Sequence, residues 1–406
     1  MLMDSLSYLQ EKLSHLQQKY PHRSRYCALR MVLTSIHALF MRYNKNVHRV
    51  SVNPKFHKNK YAEPIIVFSV KGGLGDLIIA CNYIFNFYKY ADDITFKLKV
   101  CYHSPELLDA FCSDLPGVIE LGTNINKMQG NLKIELNRFP RFLSGDMAYF
   151  ARRSKKLERV FSAWHNFYIH NRKFFDFMPQ IDGISNEYAL ILGSKRINQA
   201  DIGGILQMDE EYKAPLFYPS PNEEKRILEQ FGLCNYEFIT ACRGQSTISN
   251  ALSNTKLWSP ERYNELLEML KDTYPSLKLV QLGVNRIGFD CKFNPIDVDL
   301  LGKTNLTEIK VILKHAKLHI DSEGGLVHLR HALQGGPSVV LFGPTSPQTY
   351  GYKENLNLRS NSCPQPCEWI TDDWLERCAR RTDKNICMKQ LTPSIVFDEI
   401  NKNHLI

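Results

Sequence analysis

Three short segments of the chain combine charged side chains with glycine-rich turns. Asp76 ends the run Lys71-Gly72-Gly73-Leu74-Gly75-Asp76, and His328 follows the run Asp321-Ser322-Glu323-Gly324-Gly325. Lys256 stands just before a predicted helix start. A carboxylate can act as a general base toward a hydroxyl, and a lysine can neutralise a leaving phosphate. Glycine and serine at a helix start leave backbone N–H groups open to an anion. The residue types therefore predict a site that removes a proton and binds phosphate.

Each of these residues also has a structural explanation. Asp76 would complement the dipole of a helix and cap it if it lay in the first turn. Lys256 could be a solvated loop lysine, and His328 could be a helix-face histidine that bonds to backbone. The run 71–76 is not a dinucleotide-binding motif, because Ile78 stands where that motif needs its third glycine.

Apolar segments bounded by turns predict the strands that position these residues. Helical segments alternate with most of them, which favours parallel sheets covered by helices. We therefore predict an α/β protein with two Rossmann-like domains, 63–220 and 221–406, preceded by a basic helical extension, 1–62. Residues 124–180 are predicted to be irregular, and 218–224 to be the link. The predicted strands are 64–70, 96–102, 188–192, 237–241, 277–283, 298–302, 318–321 and 338–342, and the predicted helices are 77–90, 260–271, 306–315 and 326–333.

Composition and charge limit the classes of protein to which the chain can belong. The chain has 406 residues, 44% hydrophobic and 23% charged, with a net charge of +9 concentrated in 12–60 and 138–173. This distribution predicts an anionic partner for the N-terminal half. No apolar stretch reaches the about 18 residues of a membrane span, and no signal peptide is recognisable. We expect a cytoplasmic protein, with the extension serving either oligomerisation or peripheral contact with anionic lipid at the inner membrane.

A basic and aromatic region contains Arg152, Arg153, Lys155 and Lys156. One interpretation is a solvated helix face. The other is a surface for the phosphates of an anionic acceptor, a role that suits arginine. No known nucleic-acid-binding module is visible, so nucleic acid is not expected as a partner.

Four cysteines cluster near the C-terminus at positions Cys363, Cys367, Cys378 and Cys387. Four thiolates could form a structural tetrahedral site for zinc or iron with no position left for substrate. The alternative is a set of reduced structural thiols. The spacing is not that of a common zinc motif, so both interpretations stay open.

Five motifs occur in the order found in a known family. They are Gly75-Asp76, Lys256-x-Trp258, Leu301-Gly302-Lys303-Thr304, the segment 321–328, and Gly343-Pro344-Thr345-Ser346-Pro347. Over about 64–400 the chain resembles the bacterial heptosyltransferases, glycosyltransferase family 9. The resemblance implies a GT-B fold and an inverting enzyme that needs no metal for catalysis. It also implies transfer of a heptose from ADP-heptose to a lipopolysaccharide core.

The same resemblance assigns roles to individual residues. It implies that Asp76 is the catalytic base, in a loop with Gly73 and Gly75, and that Lys256 binds donor phosphate. The rest of the donor site would comprise Gly302, Lys303, Thr304, Asp321, Ser322, Gly324, Gly325 and His328. One branch of the family is associated with iron, which bears on the cysteines. The turn 321–325 departs from the family's usual Asp-Ser-Gly by containing Glu323.

Two other functions remain open on the sequence alone. The enzyme could glycosylate a protein hydroxyl instead of a glycolipid, or the chain could be a non-catalytic subunit that binds nucleotide sugar. The presence of both Asp76 and Lys256 favours an enzyme.

Overall fold

The structure is a computed structural model, and it describes residues 63–170, 195–244, 254–285, 291–363, 366–368, 374–378 and 385–406. The predicted extension 1–62 and the predicted strand 188–192 lie outside these residues.

The first sheet has five strands in the order β3-β2-β1-β4-β5. Strands β1 to β4 run parallel, and β5 is antiparallel to β4. Strand β1 is buried along its whole length, as expected for a central parallel strand covered on both faces. The strands are β1 (Ile65–Val70), β2 (Lys97–Cys101), β3 (Val118–Gly122), β4 (Leu132–Leu136) and β5 (Pro140–Gly145).

The prediction of an irregular region over 124–180 is wrong for its described part. Strand β4 buries only alternate residues, Leu132, Ile134 and Leu136. A five-residue alternating segment lacks the nearly continuous apolar run that marks β1. Of the basic residues that follow, Lys155 and Lys156 lie on a helix, and Arg152 and Arg153 lie in the turn before it. The helices of this half are α1 (Leu74–Tyr90), α2 (Pro105–Cys112), α3 (Met147–Ala151) and α4 (Lys155–His170), followed by a 3-10 turn (Ile202–Gly204).

The second sheet has six strands in the order β11-β10-β9-β6-β7-β8, all parallel. The predicted strands reappear here, but β8 is shorter than predicted because Gly302 adopts φ +64° and cannot continue it. The strands are β6 (Phe238–Cys242), β7 (Lys278–Gln281), β8 (Val298–Asp299), β9 (Leu318–Ser322), β10 (Ser338–Phe342) and β11 (Leu356–Arg359).

Helices cover the second sheet and have clear start signals. Ser220 caps the first of them by accepting from the Glu223 N–H, and Pro221 occupies its first position. The helices are α5 (Pro221–Gln230), α6 (Pro260–Thr273), α7 (Leu306–His315), α8 (Gly325–Ala332), α9 (Pro347–Tyr350), α10 (Ile386–Lys389) and α11 (Pro393–Lys402).

Strand order reverses at one point in each sheet. The reversal lies between β1 and β4 in the first sheet and between β9 and β6 in the second. Ligands of open α/β sheets bind beyond the strand ends at such points. Helix α1 leaves the first sheet at its reversal and α8 leaves the second, and the two helices pack against each other. The two predicted binding edges therefore meet.

Candidate active site

The glycine-rich starts of α1 and α8 touch across the seam between the two sheets. A Cβ added at Gly75 would lie 2.3 Å from His328 Cδ2, and one added at Gly325 would lie 2.9 Å from Leu74 Cβ. Both positions therefore need glycine for the helices to approach this closely. Asp76, which follows Gly75, and His328 are thus brought into one cleft.

Asp76 is both a helix cap and an exposed carboxylate. Its Oδ2 accepts from the Gly73 N–H at 2.9 Å, and its Oδ1 accepts from Arg196 Nη2 at 2.6 Å. Its side chain remains 33% exposed, so a lone pair can reach a ligand. Burial raises the pKa of Asp76, but the Arg196 charge and the two hydrogen bonds lower it by more. The pKa of Asp76 therefore lies below its ordinary value. The carboxylate is therefore ionised at neutral pH.

Arg196 is a site residue that the sequence did not reveal. Its side chain is 2% exposed and also donates to the Asn137 carbonyl at 2.8 Å. Its backbone N–H donates to the Thr349 carbonyl at 2.7 Å, which fixes the residue against the second half of the chain. Arg196 lies 120 residues from Asp76. No local spacing connects the two, so only the fold could show this pair.

A second buried arginine crosses the seam nearby. Arg138 Nη2 lies 2.8 Å from Glu368 Oε1, and both side chains are buried. Glu368 also accepts from the Tyr350 hydroxyl at 3.0 Å, and the Arg138 guanidinium lies over the Tyr350 ring. Sequence reasoning placed Arg138 in the basic region and did not connect it with this cleft.

Lys256, the predicted phosphate ligand, is paired with Glu323. Its Nζ lies 2.6 Å from Glu323 Oε2. Burial lowers the pKa of Lys256, but the Glu323, Glu368 and Asp76 carboxylates raise it by more. The pKa of Lys256 is therefore held above its ordinary value. Lys256 is therefore a charged group on the same cleft as Asp76.

Glu323 also lies beside the predicted histidine. Its Oε1 is 3.8 Å from His328 Nε2, while His328 Nδ1 and the Tyr352 hydroxyl are 2.6 Å apart. Burial raises the pKa of Glu323, but Lys256 and His328 lower it more, so its pKa is held well below the ordinary value. The one signal for this residue in the sequence was an acidic side chain inside a turn of small residues.

Asp321 and Ser322 lie beneath the turn instead of in the cleft. Asp321 is 1% exposed, and its Oδ2 is 3.4 Å from the Nε2 of the buried His319. Burial raises the pKa of Asp321 well above its ordinary value and lowers that of His319 to about 3. Ser322 is fully buried against Tyr263. These two side chains support the turn, whereas Gly324 and Gly325 form the start of α8.

The predicted donor-site residues Gly302, Lys303 and Thr304 lie at the same edge of the second sheet. Gly302 follows β8 and donates its N–H to the Gly283 carbonyl at 2.8 Å. The exposed Lys303 is held by Asp299 at 2.9 Å, and the Thr304 hydroxyl is buried. Three strand spacings separate β8 from β9, about 14 Å in all. That distance suits a ligand of nucleotide length.

The four predicted acceptor-phosphate residues do not lie in this cleft. Lys156 pairs with Asp92 at 2.7 Å, just beyond the C-terminal end of α1. The 17 residues of α1 span about 25 Å, and Asp76 is at the other end. Arg153 lies over the Tyr149 ring, Arg152 is 3.9 Å from Asp146, and Lys155 pairs with Glu158. Their contacts are those of a solvated helix face.

The four cysteines are only partly brought together. Cys363 and Cys387 are buried in hydrogen-bonding contact, which together with burial raises the pKa of Cys387 well above its ordinary value. Among the described residues, no group of three or more histidine, cysteine, aspartate or glutamate side chains converges as a metal site. The same part of the chain contains no helix that is long and apolar enough to cross a membrane.

Comparison with known proteins agrees with this geometry. The family model described as glycosyltransferase family 9 (heptosyltransferase) matches residues 220–373. No curated protein matches the chain. The iron-containing dodecameric glycosyltransferase TibC from enterotoxigenic E. coli H10407 superposes with a TM-score of 0.53 at 16% identity, over 84% of this chain and 76% of TibC. The E. coli ADP-heptose lipopolysaccharide heptosyltransferase II gives 0.48 at 16% identity, over 83% and 97% of the two chains.

The two facing sheets thus form a GT-B fold, as the sequence predicted, and the protein is a glycosyltransferase. Over residues 220–373 the chain is similar to glycosyltransferase family 9, the heptosyltransferases.

Proposed function

We propose that this protein transfers a heptose from ADP-heptose to an acceptor hydroxyl with inversion at the anomeric carbon. One observation carries the proposal: Asp76 follows Gly75, which packs against His328, and His328 lies 3.8 Å from the Glu323 carboxylate that pairs with Lys256. These contacts lie where the strand order of both sheets reverses. TibC has also been crystallised in complex with ADP-D-β-D-heptose, and that structure superposes with a TM-score of 0.52 at 16% identity, over 85% of this chain and 77% of TibC.

The roles of the two domains follow from their chemistry. The donor diphosphate lies between Lys256 and the start of α8, and the nucleoside extends toward Gly302 and Thr304. Asp76, ionised and oriented by Arg196, accepts the proton of the acceptor hydroxyl as its oxygen attacks the anomeric carbon. The nucleoside diphosphate leaves, and Lys256 with the α8 N–H groups neutralises its charge. No step in this scheme uses a metal ion.

The acceptor is proposed to be a lipopolysaccharide core, which would place the enzyme in the cytoplasm at the inner face of the inner membrane. The rival acceptor is a protein hydroxyl. The location of Arg152, Arg153, Lys155 and Lys156 favours the rival, because these residues lie about 25 Å from Asp76, at the far end of α1. The dodecameric state of TibC supports a homo-oligomer here too.

Donor identity is tested by thermal denaturation with ADP-heptose and with UDP-, GDP- and CMP-linked sugars. A ligand at one hundred times its Kd stabilises the folded state by about 2.7 kcal/mol. We expect the largest shift with ADP-heptose. Failure of every nucleotide sugar to raise the midpoint would refute the proposal.

The acceptor and the alternative of a non-catalytic subunit are tested by transfer. Radiolabelled donor is incubated with the enzyme and either a truncated lipopolysaccharide core or serine-containing polypeptides. Label in the glycolipid supports the first acceptor, and label in polypeptide supports the rival. Donor binding with neither transfer nor hydrolysis would indicate the non-catalytic subunit.

A further inference from the structure

Among the described residues, three cations near the cleft are paired with carboxylates of the chain. Arg196 pairs with Asp76, Arg138 pairs with Glu368, and Lys256 pairs with Glu323, at 2.6 to 2.8 Å. The pairs influence one another electrostatically. The Arg138 charge lowers the pKa of Asp76, and the Glu368 and Asp76 charges raise the pKa of Lys256. A diphosphate that entered this network would add negative charge to a balanced set.

Of the three carboxylates, Glu323 lies nearest to the position proposed for the donor diphosphate. It belongs to the turn that begins α8, and its two oxygens face Lys256 at 2.6 Å and His328 at 3.8 Å. Lys256 and His328 are both donor-side residues that could contact phosphate. Like charges at such distances in a buried site repel strongly. Glu323 and a phosphate therefore compete for Lys256 in this arrangement.

We propose that Glu323 is an internal counter-anion that competes with the donor diphosphate for Lys256 and thereby sets the affinity of the site for phosphate. The inference rests on the proposed function. In the unliganded enzyme the carboxylate keeps the buried lysine paired. When the donor binds, phosphate takes the lysine and Glu323 moves away from it. Glu323 thus acts through Lys256, as a positioning residue.

The alternative is that Glu323 merely stabilises the fold of the turn. The two roles differ in sign, because removing a structural residue weakens ligand binding, whereas removing a competitor strengthens it. In a Glu323→Gln variant Lys256 keeps the Glu368 and Asp76 charges beside it.

The test is isothermal titration of the full chain with inorganic pyrophosphate. We expect Glu323→Gln to bind about tenfold more tightly than the unsubstituted protein and Glu323→Asp to lie between them. The gain should vanish in the double variant Glu323→Gln/Lys256→Met, because the competition passes through the lysine. Glu354→Gln removes a carboxylate that instead pairs with His331, and it should bind like the unsubstituted protein.

Equal or weaker binding by Glu323→Gln would overturn the inference while leaving the proposed function standing. A gain that persists in the double variant would also overturn it. If neither the unsubstituted protein nor the variant binds pyrophosphate or any nucleoside diphosphate, both the inference and the proposed function fail. Should Glu323→Gln not fold, as judged by circular dichroism, Glu323→Asp gives the same comparison with a smaller expected gain.

Discussion

The turn after β1 and the turn after β9 share one construction and have opposite chemistry. Each follows a fully buried parallel strand, and each places glycine at the start of a helix. In the first turn Asp76 reaches back to the Gly73 N–H. In the second, within the described part of the chain, no side chain caps α8 at Gly324. One turn therefore offers a carboxylate to the cleft, and the other offers N–H donors.

This difference explains how two similar halves make one asymmetric site. At the start of α1 the Asp76 carboxylate takes the Gly73 N–H and its charge repels an anion. At the start of α8 the backbone donors and the positive end of the helix dipole favour one. Proton removal thus belongs to the first turn and phosphate binding to the second.

The strongest test of the comparison is Asp76→Asn. General-base catalysis contributes about 10²–10⁴ in rate, so we expect turnover to fall by that range while donor affinity changes little. Asparagine can still accept from the Gly73 N–H, so the helix start is preserved. Single-turnover kinetics and donor titration measure the two effects. Asp92→Asn, at the far end of the same helix, is the control and should be unaffected. Unchanged turnover in Asp76→Asn would exclude it as the base.

The proposed phosphate binding at the second turn is tested by Lys256→Met. Loss of a preorganised charge at a leaving group costs about 10²–10³ in kcat. We expect a fall of that size together with weaker binding of the nucleoside diphosphate product. Lys402→Met, at an exposed ion pair on the C-terminal helix, is the matched control. A kcat equal to that of the control would show that phosphate is bound elsewhere.

The contact between the two turns is tested by a pair of glycine substitutions. A Cβ at Gly75 would lie 2.3 Å from His328, whereas one at Gly73 has nothing within 4 Å. We expect Gly75→Ala to destabilise the protein by about 1–3 kcal/mol through overpacking and to reduce turnover. Gly73→Ala should leave both nearly unchanged. Denaturant titration and kinetics measure the effects, and equal behaviour of the two variants would contradict the close packing of α1 and α8.

The pH dependence of activity tests the ion pair between Arg196 and Asp76. The base must be ionised to act, so activity is lost as pH falls through the pKa of Asp76, which is held below its ordinary value. Arg196→Met removes the charge that lowers that pKa and leaves the burial that raises it. The acid limb of kcat/KM should therefore move to higher pH. Melting curves at each pH separate this shift from unfolding. A limb that stays in place would assign it to another group.

The smallest effect is expected for the double variant Lys155→Ala/Lys156→Ala. Both side chains form solvent-exposed ion pairs, which contribute little to stability. We expect turnover on a soluble acceptor to be unchanged. If instead KM rose strongly for a phosphorylated core acceptor alone, the result would show that Lys155 and Lys156 bind the phosphates of the acceptor.

Much of the fold could be predicted from the sequence. The strand 338–342 and the helix 306–315 were predicted with the bounds that the structure has, since a continuous apolar run and an Asn305 cap are local signals. The alternating strand β4 was missed because its pattern is short. The turn 321–325 was recognised, but Asp321 and Ser322 within it prove to be buried supports.

The sequence by itself offered Asp76, Lys256 and His328 as candidate site residues, and it determined most of the elements and the two glycine-rich turns. These depend on neighbours a few residues apart, through hydrogen bonds and apolar periodicity. Only the tertiary structure decided the ionic partners, because Arg196 is 120 residues from Asp76 and Arg138 is 230 residues from Glu368. Charge interactions depend on distance in space and on burial. Neither quantity exists until the chain has folded.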